Sequence, residues 1–435
     1  MNLPSIFRGR AAYLVLTALL AGCAHRPGPH DDDPAYFARW DSAGVVIAET
    51  ANEVAYGALP WKVAAEPSFE TRPVLGDRPG LLMSTVGVSR SGENTVIVDQ
   101  GAVGVRFFGP GGELLLRDLG RSGELPGEFE AINLVPAPSA DSLVLWDRMN
   151  RRFTLLAPDG SGFRLVPRAE SPARGDGATI RVLTHLGLIG DMLLMKSTGS
   201  DPSGFQDRGV MGTNDAFWLE NLYDGERVEI GEFAGVQFLY SSTGAELAQE
   251  LMESMSIPPI ELLITPPFRS PASAAPARGS FVLTKGEGPE ILRFGEDGAL
   301  LSVMRIRKPR PVTASDVEAF VEWRAQALDS AGDMRSGLRA MVGRLPIPEV
   351  WPGFERLLVD TEGWTWAQLY HYDPSRSNTW VVFDPEGRAQ GTVETPPRLD
   401  VHFIGEDFIL GVVRDELNVQ FVREYALERG ASATP

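Results

Sequence analysis

The chain has 435 residues, a single cysteine and a formal net charge of −18. Its acidity argues against a nucleic-acid-binding protein, because phosphates would repel it, and one cysteine excludes a framework of internal disulfides. About 400 residues are ample for a large hydrophobic core, and 46 glycines with 33 prolines favour a turn-rich β fold over a helical one.

The first 22 residues have the pattern of a signal peptide. Arg8 and Arg10 precede an uncharged run that is shorter than the roughly 20 residues needed to span a bilayer. The run ends in Leu-Ala-Gly-Cys at residues 20–23, which resembles the lipobox of bacterial lipoproteins. In that motif the cysteine becomes the lipidated first residue, so we predict a lipid anchor on Cys23 and an exported protein held at the cell envelope, at the outer membrane in a double-membraned host.

Residues 23–40 are predicted to be a flexible tether. The stretch "AHRPGPHDDDP" is polar and rich in proline, a composition typical of linkers. His25 and His30 lie near three aspartates, so a metal site is an alternative interpretation, but a solvated linker is favoured. No other apolar run approaches transmembrane length.

A unit of short apolar strands with a late turn glycine recurs along the rest of the chain. Its five copies are residues 94–119, 141–167, 191–233, 279–306 and 363–394, with turn glycines near 112, 160, 225, 298 and 387. Glycine reaches the positive φ of a tight hairpin without steric cost. One further strand-like run precedes each unit, so each unit has four predicted strands. For the fourth unit this opening strand has only a weak signal, in residues 264–276.

A sixth copy, 407–427, ends after its third strand, and the run 43–50 is a candidate for the missing one. Five full units and one completed from the other terminus predict an all-β protein, a closed six-bladed β-propeller over residues 41–428, followed by a disordered tail at 429–435. Helical spacing predicts a helical insertion at about 307–352, between blades four and five, with Thr313 or Ser315 capping its start. A generic β-sandwich is the alternative.

Three stretches resemble the six-bladed β-propeller lipoproteins of the NHL-like/TolB-like superfamily: "GRSGELPGEF" (120–129), "FDPEGR" (383–388) and "GVVRDELNVQFVREYAL" (411–427). The resemblance extends from about Asp41 to Leu427, although Leu125 stands where the usual pattern has glycine. Members of this superfamily mostly lack an assigned activity, so the resemblance implies the fold more than the function.

Connections between successive strands of a blade alternate between the two faces of the predicted propeller. Every long insertion, at 120–130, about 233–270 and about 307–352, is a crossing between blades, and crossings share a face with the loops between second and third strands. We call this the insertion-rich face and the opposite one the plain face. Charged residues at the ends of second strands and in one crossing are candidate ligand-binding groups there: Asp99, Asp147, Lys196, Lys285, Arg414, Arg121, Glu124 and Glu128. The favoured alternative for the strand-end residues is that they pair with each other or meet solvent, and for the three in the crossing that its glycines and proline form a fixed turn between blades.

The sequence contains no recognisable catalytic constellation. His185, His371 and His402 fall in different blades without a cysteine partner, so we predict no zinc or other metal, and phosphate-cradling, calcium and serine-elbow motifs are missing. We therefore predict no cofactor and a lipid-anchored binding or interaction module. Its partners would be the membrane, through Cys23, and a protein or small molecule, and no nucleic acid. The alternative is a hydrolase or lyase with a site in the central channel.

Overall fold

The computed structural model of the protein consists mainly of short strands in six sheets. It describes residues 33, 35–71, 82, 84–101, 103–138, 142–168, 181–199, 210–239, 266–327, 332–343, 345–373 and 378–430. The predicted signal peptide, Cys23 and most of the predicted tether lie outside these residues. Among the described helices, none is long and apolar enough to cross a membrane.

The chain begins with four strands and a helical turn that precede the repeated units: β1 (Phe37–Ser42), β2 (Val45–Thr50), α1 (Asn52–Ala55), β3 (Lys62–Val63) and β4 (Phe69–Glu70). Blade one contains β5 (Thr85–Ser91), β6 (Asn94–Asp99), β7 (Gly104–Phe108) and β8 (Leu114–Leu119). Blade two contains β9 (Ile132–Val135), β10 (Leu143–Asp147), β11 (Arg152–Leu156) and β12 (Phe163–Pro167). Blade three contains β13 (Arg181–Ile189), β14 (Met192–Gly199), β15 (Val210–Asn221) and β16 (Arg227–Leu239).

The second half of the propeller follows the same order. Blade four contains β17 (Ser273–Ala277), β18 (Ser280–Thr284), β19 (Glu290–Gly295) and β20 (Leu300–Ile306). The helices α2 (Ala314–Ala327) and α3 (Gly332–Val342) come next. Blade five contains β21 (Phe354–Val359), β22 (Thr365–Leu369), β23 (Asn378–Phe383) and β24 (Ala389–Thr395), and blade six contains β25 (Asp400–Ile404), β26 (Phe408–Arg414) and β27 (Gln420–Glu428).

Within each blade, neighbouring strands are antiparallel and follow chain order. The first strand of every blade contacts the first strand of the next, and β25 contacts β5, so the ring closes with the first strands innermost. The predicted six-bladed propeller is confirmed. The weakly signalled opening strand of blade four is β17, which pairs with β18 from Ser273 to Ala277.

The turn glycines adopt the conformation that their spacing predicts. Gly112, Gly160, Gly225, Gly298 and Gly387 join third to fourth strands with φ values of 83°, 74°, 76°, 78° and 91°. This is the left-handed region that a side chain disfavours. The plain face therefore consists of tight hairpins, and longer segments are left to the opposite face.

The helical insertion between blades four and five is confirmed. Thr313 caps α2, because its Oγ1 accepts a hydrogen bond from the backbone N–H of Asp316 at 3.2 Å while the Asp316 carboxylate accepts one from the Thr313 N–H at 2.9 Å. This reciprocal pair is a capping box with aspartate at the third helical position. Phe320 and Val321 of α2 and Leu338 of α3 share one buried apolar cluster with Trp351.

The prediction that residues 43–50 complete the last blade is wrong. β2 instead pairs in parallel with β20, with Ile47 opposite Val303, and β1 adds to β2, so blade four has six strands. The apolar side chains of β2 favour this position because Val45 and Ile47 join the apolar cluster of blade four. Blade six is still closed from the N-terminal side, but by the two-residue strands β3 and β4, which pair with β27.

Candidate ligand-binding pocket

A cavity of about 450 Å³ opens on the insertion-rich face, beside blades five and six. β21 and β25 begin on this face and β22 ends there, so the three strands bring Glu355, Arg356, Asp400 and Leu369 to one place. A smaller cavity of about 220 Å³ lies next to it and shares Leu369 and three other lining residues. The crossing that carries the helical insertion forms the wall between the two.

That wall is built around Trp351, whose ring is covered by the guanidinium of Arg310 at 3.9 Å from the ring centroid. Asp316 holds both groups: Arg310 Nη2 donates to its Oδ1 at 2.7 Å and Trp351 Nε1 donates to its Oδ2 at 3.3 Å. Burial alone would raise the pKa of Asp316, but the hydrogen bonds from Thr313 and Trp351 and the charge of Arg310 lower it. The start of α2 thus fixes one side of the pocket with an ionised carboxylate.

Tyr370 continues this wall as a neutral phenol. Its hydroxyl oxygen accepts a hydrogen bond from the backbone N–H of Phe268 at 3.1 Å. Burial raises the pKa of Tyr370 to about 12, so the group cannot act as a base near neutral pH. Its ring lies 6.0 Å from that of Trp351 in an edge-on arrangement, which gives the pocket an aromatic side.

Two β-bulges place one titratable side chain in the pocket, Glu355, and another, His402, beside the pocket residue Asp400. In blade five, Phe354 pairs with Leu369 and Arg356 with Gln368, so Glu355 between them has no partner residue. In blade six, His402 is unpaired in the same way between Val401 and Phe403. Bulges re-aim side chains and are frequent near functional sites. Here they occur near the entry of two adjacent inner strands.

Glu355 is a carboxyl group of the pocket whose pKa lies near neutral pH. Burial raises its pKa to about 7, although a hydrogen bond from the backbone N–H of His371 and the charge of Arg356 act in the opposite direction. At neutral pH the side chain therefore exists in both forms, as donor and as acceptor of a hydrogen bond.

Asp400, in contrast, is held in the ionised form. Its side chain is more than half exposed, and although partial burial acts to raise its pKa, the hydrogen bond from His402 and the charge of Arg356 lower it below the ordinary value. His402 Nε2 lies 3.3 Å from Asp400 Oδ2, and Arg356 Nη1 donates to Asp400 Oδ1. The pocket thus contains two carboxyl groups whose surroundings shift their pKa values in opposite directions, an arrangement that assigns acid and base roles in many enzymes.

Positive and negative side chains are equally numerous along the cavity of about 450 Å³. The amides of Gln368 and Asn378 and the hydroxyl of Thr379 line it. The charged lining groups are three arginines and three carboxyl groups: Arg310, Arg356, Arg398, Glu355, Asp373 and Asp400. Arg398 is exposed and has a φ of 62°, in the left-handed region. A balanced set of donors and acceptors suits a neutral polar ligand better than a phosphate-like anion.

Two of the sequence-predicted ligand residues are buried and bonded to backbone. Asp99 accepts hydrogen bonds from the N–H groups of Ser84 and Gly101, each at 3.0 Å, and lies 3.4 Å from Arg106. Asp147 accepts bonds from the N–H groups of Glu130 and Ala131, each at 3.1 Å. Both carboxylates connect the end of a second strand to the segment entering the same blade.

The other six predicted residues are distributed over several blades. Lys196 pairs with Asp215 at 2.6 Å and Lys285 with Glu290 at 3.5 Å, and Arg414 donates to Asn418 at 3.4 Å. Arg121 pairs with Glu128 at 2.6 Å within the first crossing, where the Glu124 carbonyl accepts a bond from Arg152. None of the eight lines either cavity described above. A ligand role for them stays a prediction.

The charged pocket residues do not belong to the ends of second strands or to the crossing at 120–130, where the sequence predicted ligand-binding groups. Glu355, Arg356 and Asp400 stand instead at the starts of first strands, in "GFERLLVD" and "RLDVHFIG". Charged residues at that position in two consecutive blades were the available signal. His402, for which the sequence indicates no cysteine partner, pairs with Asp400. The described part of the chain has no group of three or more histidine, cysteine or acidic side chains placed to hold a metal.

No family model and no curated protein matches the chain, but solved structures resemble it. A member of the DUF4221 family from Bacteroides vulgatus is 11% identical, covers 85% of this chain and 99% of its own, and has a TM-score of 0.43. A gluconolactonase from Xanthomonas campestris is 13% identical, with coverages of 90% and 100% and a TM-score of 0.37. A regucalcin from Agrobacterium tumefaciens, a calcium-binding protein, is 10% identical, with coverages of 81% and 93% and a TM-score of 0.35. Similarity this distant concerns architecture and has no bearing on the ligand.

Proposed function

We propose that the protein is a lipid-anchored binding module of the bacterial cell envelope, and that its ligand occupies the cavity beside blades five and six. The observation that carries this proposal is the composition of that cavity. It combines a volume of about 450 Å³ and balanced arginine and carboxyl groups with an aromatic side at Trp351 and Tyr370. A volume of this size suits a small molecule.

The chemistry of the lining favours a neutral polyhydroxylated ligand, such as a saccharide. Each hydroxyl both donates and accepts hydrogen bonds, so it can bond to a carboxylate and an arginine at once. Arg356 and Asp400 are already oriented by their mutual ion pair, and charge-assisted bonds of this kind are the stronger ones. The apolar side of a sugar ring would lie toward Leu369 and Tyr370.

Binding of glycans to the full-length protein tests this proposal. Hits from a glycan array would be measured by calorimetry with the wild type and with Arg356→Ala, and the matched control is Arg305→Ala, another ion-paired arginine, which bonds to Glu49 on blade four. We expect Arg356→Ala to weaken binding by roughly tenfold or more, because a hydrogen bond to a charged group contributes about 1.5–3 kcal/mol. Equal affinity of the two variants would contradict the assignment of the pocket, and an array without hits would contradict the ligand class.

The anchor and the envelope location rest on the N-terminal sequence. Residues 1–22 and Cys23 support lipid attachment through their charge pattern, length and lipobox. Labelling with radioactive palmitate should be lost in Cys23→Ser, which should also accumulate uncleaved precursor, and retained label would refute the anchor. Membership of the NHL-like/TolB-like superfamily is likewise a proposal, supported by the three stretches quoted above.

One observation favours catalysis as a second candidate function. Glu355, with a pKa near 7, and the ionised Asp400 line the same cavity, as an acid and a base of a hydrolase or lyase would. This site would lie beside the inner strands of blades five and six. Protonated Glu355 would be the acid, so activity on chromogenic glycosides or lactones should fall as pH rises through about 7.

The matched variants for this test are Glu355→Gln and Glu290→Gln. The second glutamate is half-exposed, pairs with Lys285 and lines neither cavity. We expect Glu355→Gln to abolish turnover and Glu290→Gln to retain it. Turnover that survives in Glu355→Gln, or is absent from the wild type, excludes this candidate and leaves the binding module.

A further inference from the structure

The N-terminal strands determine on which face the chain enters the propeller. β20 runs toward the insertion-rich face, because it leads into the crossing to blade five, and β2 is parallel to it. β1 is antiparallel to β2, so Phe37 lies at the insertion-rich end. Arg307, the residue after β20, confirms this position, because its Nη1 donates to the carbonyl of Ala35 at 2.6 Å.

This entry point limits how far a lipid on Cys23 could be from the insertion-rich face. Nine residues, 24–32, separate Cys23 from Asp33. A chain of this length spans at most about 35 Å even when fully extended. A lipid inserted in the bilayer would therefore keep Asp33, just before β1, within about 35 Å of the membrane surface.

The most exposed large apolar side chains among the described residues lie on the same face. They are Leu417 (84% exposed), Met149 (62%), Leu125 (61%) and Val182 (59%). Leu417 and Met149 occupy loops between second and third strands, Leu125 lies in the crossing from blade one to blade two, and Val182 is near the start of β13. The next in exposure, Leu115 and Tyr223, lie toward the plain face.

The loops that carry these side chains are held in place by hydrogen bonds. Arg152 donates to the carbonyls of Glu124 and Leu125 at 2.7 and 2.9 Å, and the Asn150 amide donates to the carbonyl of Gly123 at 2.9 Å. These bonds join the loops of Leu125 and Met149. In blade six, Asp415 Oδ1 accepts the N–H of Leu417 at 2.9 Å. Single exposed apolar residues are common, but here four project from ordered backbone on the side where the chain enters.

We propose that the insertion-rich face is turned toward the membrane, and that Leu125, Met149, Val182 and Leu417 contact the boundary between lipid headgroups and acyl chains. The occupant of this surface is a zwitterionic phospholipid bilayer, because a net charge of −18 disfavours an anionic one. The inference rests on the proposed lipid anchor at Cys23. It also places the cavity beside blades five and six on the membrane side of the propeller.

The single cysteine makes a direct test possible. Acylation would consume the thiol of Cys23, so Leu417→Cys would carry one free thiol for a polarity-sensitive fluorophore, and Leu115→Cys is the matched control on the plain side. The full-length lipidated variants would be reconstituted on phosphatidylcholine vesicles. We expect label 417 to shift its emission to the blue, to lose quenching by iodide and to gain quenching by headgroup nitroxides, while label 115 stays unchanged.

The outcomes separate this inference from the anchor itself. If each chain carries one label and iodide quenches position 417 as strongly as position 115, the proposed orientation is overturned and the anchor is left intact. Two labels per chain would mean that Cys23 keeps its thiol, which overturns both proposals. Protection of position 417 without vesicles, increasing with protein concentration, would identify a second copy of the chain as the occupant and also overturn the inference.

Discussion

At the scale of single residues, His185 shows how burial changes the chemistry of a side chain. It lies against Trp146, with ring centroids 4.6 Å apart, and its Nε2 accepts a hydrogen bond from Arg168 Nη1 at 2.6 Å. Burial and the neighbouring arginine charge lower its pKa to about 3. His185 is therefore a packed histidine that stays neutral in the folded protein.

This pKa predicts acid sensitivity between neutral pH and about pH 3. The unfolded chain takes up a proton on His185 near pH 6.5 while the folded protein does not, so the free energy of unfolding decreases as pH falls. Between pH 7 and pH 5.5 we expect this residue to decrease the free energy of unfolding by about 1 kcal/mol. Urea unfolding at pH 7 and pH 5.5 should show a smaller decrease in the free energy of unfolding for His185→Gln than for the wild type. The side-chain carbonyl of this glutamine can still accept a hydrogen bond from Arg168.

His402→Gln is the control for that experiment. His402 pairs with Asp400 in blade six, so its replacement leaves the contacts of His185 with Arg168 and Trp146 intact. Its removal should therefore not reduce the acid sensitivity. An unchanged pH dependence in His185→Gln would show that the buried histidine does not cause the effect.

At the scale of strands, the inner strands of neighbouring blades approach so closely that two positions exclude a side chain. A Cβ on Gly87 of β5 would lie 2.3 Å from the Cβ of Leu134 in β9, and a Cβ on Gly187 of β13 would lie 2.4 Å from the ring of Pro276 in β17. Each glycine follows a bulged residue in its strand. The bulge and the glycine together allow the first strands to pack side by side around the ring.

Gly87→Ala should therefore destabilise the propeller. Overpacking of a well-packed core typically costs about 1–3 kcal/mol, and here the clash is with another Cβ, which moves only with its backbone. The matched control is Gly162→Ala, because nothing lies within 4 Å of a Cβ at that hairpin position. Thermal unfolding should show a lower Tm for Gly87→Ala only, and equal Tm values would mean that blades one and two can separate without cost.

At the scale of the whole molecule, closure of the ring depends on short N-terminal strands. β3 and β4 pair with β27, Val422 N–H donates to Thr71 Oγ1 at 2.9 Å, and Arg423 pairs with Glu70 at 2.6 Å. Phe69 of β4 is buried in a cluster with Phe108 of blade one and Val422 of blade six. The N-terminal segment thus joins the first and last blades, and closure leaves no open edge between them.

Phe69→Ala should open this junction. Truncation of a buried phenylalanine costs about 3–5 kcal/mol, so the amides of β27 should exchange hydrogen faster than those of blade three. Trp40→Ala is the comparison, because Trp40 lies on the outer strand β1 and is 40% exposed. If Trp40→Ala accelerated exchange in β27 as strongly, the outer strands of blade four would also contribute to closure.

Most of the fold was predictable from the sequence because it follows from local chemistry. Turn glycines with positive φ, apolar strands of similar length and a capped helix each leave a pattern within a few residues, and their repetition determined six blades. The strand that completes the last blade was not predictable in this way. β3 and β4 have two residues each, which is too short for a periodic signal, whereas residues 43–50 form an evident strand that packs elsewhere.

The candidate pocket likewise separates what local sequence predicts from what depends on the tertiary structure. By itself the sequence determined the blade count, the position of the helical insertion and the face that carries the long loops, because each depends on neighbours along the chain. Only the tertiary structure decided that Glu355 and Asp400, far apart in sequence, line one cavity with Arg310. It also decided that β1 enters on the insertion-rich face. Such juxtapositions depend on the bulges and on the ring closure, and no short-range pattern of residue types encodes them.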